Sequence, residues 1–244
     1  MEDEFWLYFL LALLVGLIIV FLLISIRVLW PDYHVVSKEK DTAIPTFRTG
    51  DIIGVRYRGE GQLTKSMSGS HWNHVGMIFL DSNCGGGGHT DPRCKGIETV
   101  HVVEITGWNK GPLEPTVSSL GQWLNRYRRH DLAVSRYQGP EIPTSAVREA
   151  LVRHKGKRGS VKTISWIPCL MKRSWYEREA NNYICSELVM LLLQDLGVAK
   201  KVYLADGYRP SEILFNKFEC EAGRGYGAAE YLTWRPEALM NADV

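Results

Sequence analysis

Residues 181–197 read NNYICSELVMLLLQDLG. Leu188, Val189, Leu192 and Leu196 recur at helical spacing, and Gly197 is a natural stop. This places Cys185 in the opening turn of an apolar helix. Backbone N–H groups without an intrahelical partner lie there, and they favour a thiolate. A cysteine nucleophile also needs a base to take its proton. Residues 70–80, SHWNHVGMIFL, offer one: His74 begins an apolar strand. The two residues are far apart in sequence, so only the fold can join them. Joined, they point to thiol hydrolase or acyltransferase chemistry.

Outward from these stretches the pattern alternates strands and helices. Thr49-Gly50-Asp51 opens a strand, IIGVRY, and a polar loop at 59–70 leads to the His74 strand. A long loop containing glycine and cysteine follows, then a strand at 98–105. Ser118 or Ser119 caps a helix whose Leu120, Trp123, Leu124 and Tyr127 share one face. A strand is expected at 131–138, and a helix capped by Thr144 turns Val147, Ala150 and Leu151 inward. Ser211 caps a last helix, and 228–234 forms a closing strand.

Residues 5–26 carry no charge. At 1.5 Å per residue they extend about 33 Å, enough for a bilayer core. The acidic start, Met-Glu-Asp-Glu, and the absence of a small-residue cleavage site argue against a signal peptide. A single-pass anchor at 5–30 and a linker at 31–48 are therefore expected, with one domain at 49–240. Arg27, Lys38 and Lys40 follow the span and no basic residue precedes it. The positive-inside rule then puts the N-terminus outside and the domain in the cytosol, with the lipid bilayer as a partner.

The 29 basic and 27 acidic residues nearly balance, which argues against nucleic-acid binding. Five cysteines, without framework spacing, read as reduced thiols. Cys84, His89 and Cys94, with His71 or His101, do not show the close pairs of a structural zinc site. No metal and no cofactor are expected. The basic segment 153–162 reads as a solvated surface or a contact to anionic headgroups. Trp166, Ile167, Leu170, Met171 and Trp175 after it read as core, or as a wall for an acyl chain.

Three ordered motifs carry a resemblance: Ser70-His71-x-x-His74-Val75-Gly76-Met77-Ile78-Phe79, then Val102-Val103-Glu104-Ile105-Thr106-Gly107 with Trp123-Leu124 beyond, then Tyr183-Ile184-Cys185-Ser186-Glu187-Leu188-Val189. The chain resembles the permuted NlpC-type papain-like cysteine hydrolases over roughly 49–215. The nearest likeness is to their bacterial and large-DNA-virus branch, related to the lecithin–retinol acyltransferase group. The resemblance implies an α+β domain whose antiparallel sheet packs on the cysteine helix. It implies Cys185 as nucleophile, His74 as base and Glu104 as the residue that orients the base. His71 is an alternative base and His101 an alternative third member. Glu187 reads as a dipole complement in the first helical turn. The Cys185 N–H is one oxyanion donor; a second is not assigned. The expected activity is hydrolysis or transfer at an amide, ester or thioester, with a lipid acyl substrate favoured because of the anchor. The alternatives are a peptidase or amidase acting on protein, and a non-catalytic virion or envelope protein that keeps the fold. The oligomeric state is open.

Overall fold

The computed structural model describes residues 2–29, 46–58, 72–81, 100–105, 114–159, 182–201 and 208–232. Residues 31–45 of the expected linker, the loops at 59–70 and 82–99, His71, and the tryptophan-rich stretch at 163–175 lie outside them.

Five strands follow the sequence pattern closely: β1 (Ile52–Arg56), β2 (His74–Leu80), β3 (Val100–Glu104), β5 (Asp131–Ser135) and β8 (Glu230–Tyr231). A further strand, β4 (Thr116–Ser119), runs directly into helix α2 (Leu120–Arg126). The six form one sheet in the order β4-β3-β2-β1-β5-β8, and every neighbouring pair is antiparallel. The remaining elements are α3 (Thr144–Arg153), a short parallel pair β6 (Arg158–Gly159) and β7 (Asn182–Tyr183), α4 (Cys185–Asp195) and α5 (Pro210–Leu214).

Strands β1, β2, β3 and β5 are buried on both faces, which explains why they read as apolar runs rather than as alternating ones. Alternate residues nevertheless go to different layers. Ile52, Val75, Met77 and Val103 pack with Leu188, Val189, Leu192 and Leu193 of α4. Ile53, Val55, Ile78 and Val102 pack with Leu120, Trp123 and Leu124 of α2. The sheet thus has a cysteine-helix layer and an α2 layer. Full burial of one such aliphatic side chain stabilises by about 1.5–3 kcal/mol.

Helix starts were read with mixed success. Ser119 caps α2 as expected, its Oγ accepting from Gln122 N–H at 3.3 Å. Thr144 does not cap α3: Pro143 holds that position, and the Thr144 hydroxyl donates to the Leu80 carbonyl at 2.7 Å instead. Ser211 lies within the first turn of α5, after Arg209 at the cap and Pro210. Gly197 ends α4 at φ 63°, a conformation glycine adopts without penalty.

The expected membrane anchor is corrected. Residues Glu2–Leu29 form one helix, α1, but among the described residues no helix is long and apolar enough to cross a membrane. The fold class is α+β with a six-stranded antiparallel sheet, and among the described residues there is no helix long and apolar enough to span a membrane. The location inferred from charges around that element, N-terminus outside and domain in the cytosol, falls with it.

Candidate active site

His74 is the first residue of β2 and Glu104 the last of β3. The register pairs Met77 with Val103, which sets Glu104 opposite Gly76 and puts His74 on the diagonal. Both side chains belong to the α2 layer. Gly76 has no side chain between them, and a Cβ there would meet Val102 Cγ1 at 2.7 Å and the Val103 carbonyl at 3.0 Å. Across this gap His74 Nε2 reaches Glu104 Oε2 at 2.6 Å. With Nε2 donating to a carboxylate, Nδ1 is left as the basic nitrogen.

Glu104 is fully buried and α2 wraps it in donors. Trp123 Nε1 donates to Oε2 at 2.8 Å, the Tyr127 hydroxyl donates to Oε2 at 3.1 Å, and the Arg126 guanidinium pairs with Oε1. Burial pushes the carboxyl pKa up. The hydrogen bond and charge of His74, the Trp123 N–H and the Arg126 charge push it down and prevail, so Glu104 is held below its ordinary value. A buried carboxylate with this many donors remains ionised.

Cys185 opens α4 and is buried. Its Sγ lies 3.9 Å from the carbonyl oxygen of Asn73, the residue before His74, near enough for Cys185 to be among the groups that raise the His74 pKa. The opening turn is secured by Glu187, whose carboxylate accepts from Ile184 N–H at 3.4 Å. Glu187 is therefore a cap, matching its reading as a dipole complement. Burial disfavours an imidazolium at His74, yet Tyr57, Cys185 and Glu104 outweigh it and hold the His74 pKa well above its ordinary value. Burial also raises Tyr57, which keeps that phenol neutral.

The structure thus brings Cys185, His74 and Glu104 together from α4, β2 and β3. His101 points elsewhere and stacks on Phe79 with ring centroids 5.3 Å apart. Odd and even positions of β3 face different layers, as strand geometry requires.

Several residues of the site were missed. Trp123 and Tyr127 were read only as an apolar helical face. Their N–H and O–H, with Arg126 beside them, were the available signal for a buried acceptor. Tyr57, whose ring lies 6.1 Å from that of Tyr127 and whose N–H donates to Asn73 Oδ1, carries no signal in the sequence, and neither does Asn73. In the basic segment Arg153 and Lys155 are exposed, while Arg153 and His154 also contact Asp195 at 3.0 and 3.1 Å and Lys157 lies over the Tyr183 ring. Among the described residues no cluster of three or more His, Cys, Asp or Glu is placed to hold a metal. Cys84, His89 and Cys94 lie outside those residues.

No protein-family model matches the chain, and no curated protein matches it. Among solved structures, the metalloprotein yiiX of Escherichia coli O157:H7 is similar at 18% identity. That alignment covers 75% of this chain and 98% of that one, at a TM-score of 0.41. Similarity of that degree supports no inference about fold or activity.

Proposed function

We propose that the chain is a cysteine-dependent hydrolase or acyltransferase acting at an amide, ester or thioester carbonyl, in the manner of the permuted NlpC-type papain-like hydrolases it resembles. The observation that carries this reading is the buried His74–Glu104 pair at 2.6 Å, with Cys185 Sγ 3.9 Å from the backbone carbonyl of the neighbouring Asn73. A buried acid–base pair beside a thiol at a helix N-terminus has the parts of an activated nucleophile.

In the proposed cycle the Cys185 sulfur attacks the carbonyl carbon and the C=O pair moves onto oxygen. His74 holds the thiol's proton as imidazolium and delivers it to the departing amine, alcohol or thiol. The thioester is then attacked by water or another acceptor, whose proton returns to His74, and the thiolate leaves. Glu104 keeps Nε2 protonated and supports the imidazolium; it touches no reacting atom.

The preference for a lipid acyl group rested on the anchor and loses its ground with it. A peptide or other amide stands equally as substrate. Incubation with an acyl-thioester probe, followed by mapping of the labelled residue, tests the reading. Label on Cys185 that vanishes in Cys185→Ala supports it. Wild-type protein that takes no label, or that is labelled fully at another cysteine, overturns it and favours a non-catalytic protein.

A further inference from the structure

Acyl chemistry at Cys185 needs two donors where negative charge develops on the carbonyl oxygen. The Cys185 N–H is one, because a first-turn amide has no acceptor within its own helix. We infer that the second is the side-chain amide of Asn73. This inference rests on the cysteine chemistry proposed above.

Asn73 is buried, at 4% exposure, and is anchored beside the dyad at two points. Its carbonyl oxygen faces Cys185 Sγ at 3.9 Å. Its side-chain Oδ1 accepts from Tyr57 N–H at 3.4 Å, which fixes the amide orientation, since the reverse would set two N–H donors face to face. Nδ2 is then left buried with no hydrogen-bond partner. An orphaned buried amide costs stability, and native proteins rarely keep one without a use. Among the described residues Ser186 Oγ and Ser211 Oγ are also buried without a partner, but neither residue has a backbone carbonyl facing Cys185 Sγ as Asn73 does.

The chemistry suits the position. As Sγ bonds to the carbonyl carbon, the oxygen gains the π pair and a full charge. Nδ2–H and the Cys185 N–H donate to that oxygen, and release their hold when the C=O re-forms and the leaving group departs. Nδ2 carries no charge, so it assists only when the oxyanion forms and leaves the resting thiol and imidazole undisturbed.

Two reagents separate this role from simple positioning. Iodoacetamide alkylates the sulfur by displacement, with no oxyanion. p-Nitrophenyl acetate acylates it through one. Asn73→Ala, and Asn73→Leu as a volume-matched second variant, are compared with wild type after circular dichroism confirms folding. Cys185→Ala supplies the background from other thiols. Acylation is expected to fall about a hundredfold or more in both variants. Alkylation rate and its pH profile are expected to stay within about twofold of wild type. Equal loss of acylation and alkylation would make Asn73 a positioning residue and overturn the inference, as would acylation at the wild-type rate. Wild-type protein that is alkylated at Cys185 but never acylated would instead sink the underlying functional reading.

Discussion

Glu104 holds its charge in the interior because four donors converge on it: His74, Trp123, Arg126 and Tyr127. Removing that charge leaves the histidine without its counter-ion. In wild type, the His74 imidazole is expected to titrate above the ordinary histidine range, as burial is outweighed by its partners. In Glu104→Gln and in Cys185→Ala it should fall back toward or below that range. Nitrogen NMR of the imidazole reads this directly, and a low wild-type value would show that no ion pair forms. Acyl labelling should be lost in Cys185→Ala, nearly lost in His74→Ala, and reduced less in Glu104→Gln, because Glu104 orients a reacting group without being one. Cys220, half-buried and free, is the internal control: Cys220→Ala should label as wild type does.

The site is held by the ends of elements rather than by their middles. Cys185 opens α4, His74 opens β2 and Glu104 closes β3, so small shifts of one element against another move the chemistry. Gly76 is the sensitive point between the two strands. Gly76→Ala sets a methyl 3.0 Å from the Val103 backbone oxygen, which has little freedom to withdraw. A loss of about 1–3 kcal/mol in urea unfolding is expected, with acyl labelling falling further than stability alone explains. Leu188, fully buried one turn after Cys185, anchors α4 to the sheet. Leu188→Ala should cost about 2–5 kcal/mol by the same measurement. An unchanged midpoint would mean that α4 is not seated on this layer as described.

Across the whole molecule, the buried pair makes stability depend on pH from both sides. Glu104 has a folded pKa below its unfolded one, so its contribution is present above about pH 4.3 and is lost as pH falls through the folded value. His74 has a folded pKa above its unfolded one, so its contribution is present below about pH 6.5 and is lost as pH rises through the folded value. Both contributions are complete together between those limits. The thermal midpoint difference between wild type and Glu104→Gln should therefore be largest in that window and shrink on either flank. A difference that grew steadily into acid would contradict this.

What the sequence determined by itself was whatever follows from local periodicity. The apolar stripe of 188–196, the opposite parity of His101 and Glu104 on one strand, and the strand opening at Thr49-Gly50-Asp51 follow from nearest-neighbour geometry alone. With three motifs in order, that was enough to name Cys185, His74 and Glu104. The tertiary structure decided what depends on residues remote in the chain. Pairing of β2 with β3 put Glu104 diagonal to His74 rather than opposite it, with Gly76 making the passage. Docking of α2 turned an apolar helical face into a cradle of donors for one carboxylate, which periodicity cannot reveal because Trp and Tyr count as apolar in it. Local hydropathy at 5–26 argued for a bilayer span, and the structure overturned it. Long-range packing also left Asn73 Nδ2 buried without a partner, in the residue whose backbone carbonyl faces Cys185, because satisfaction of a buried polar group depends on every neighbour the fold supplies, not on its place in the chain.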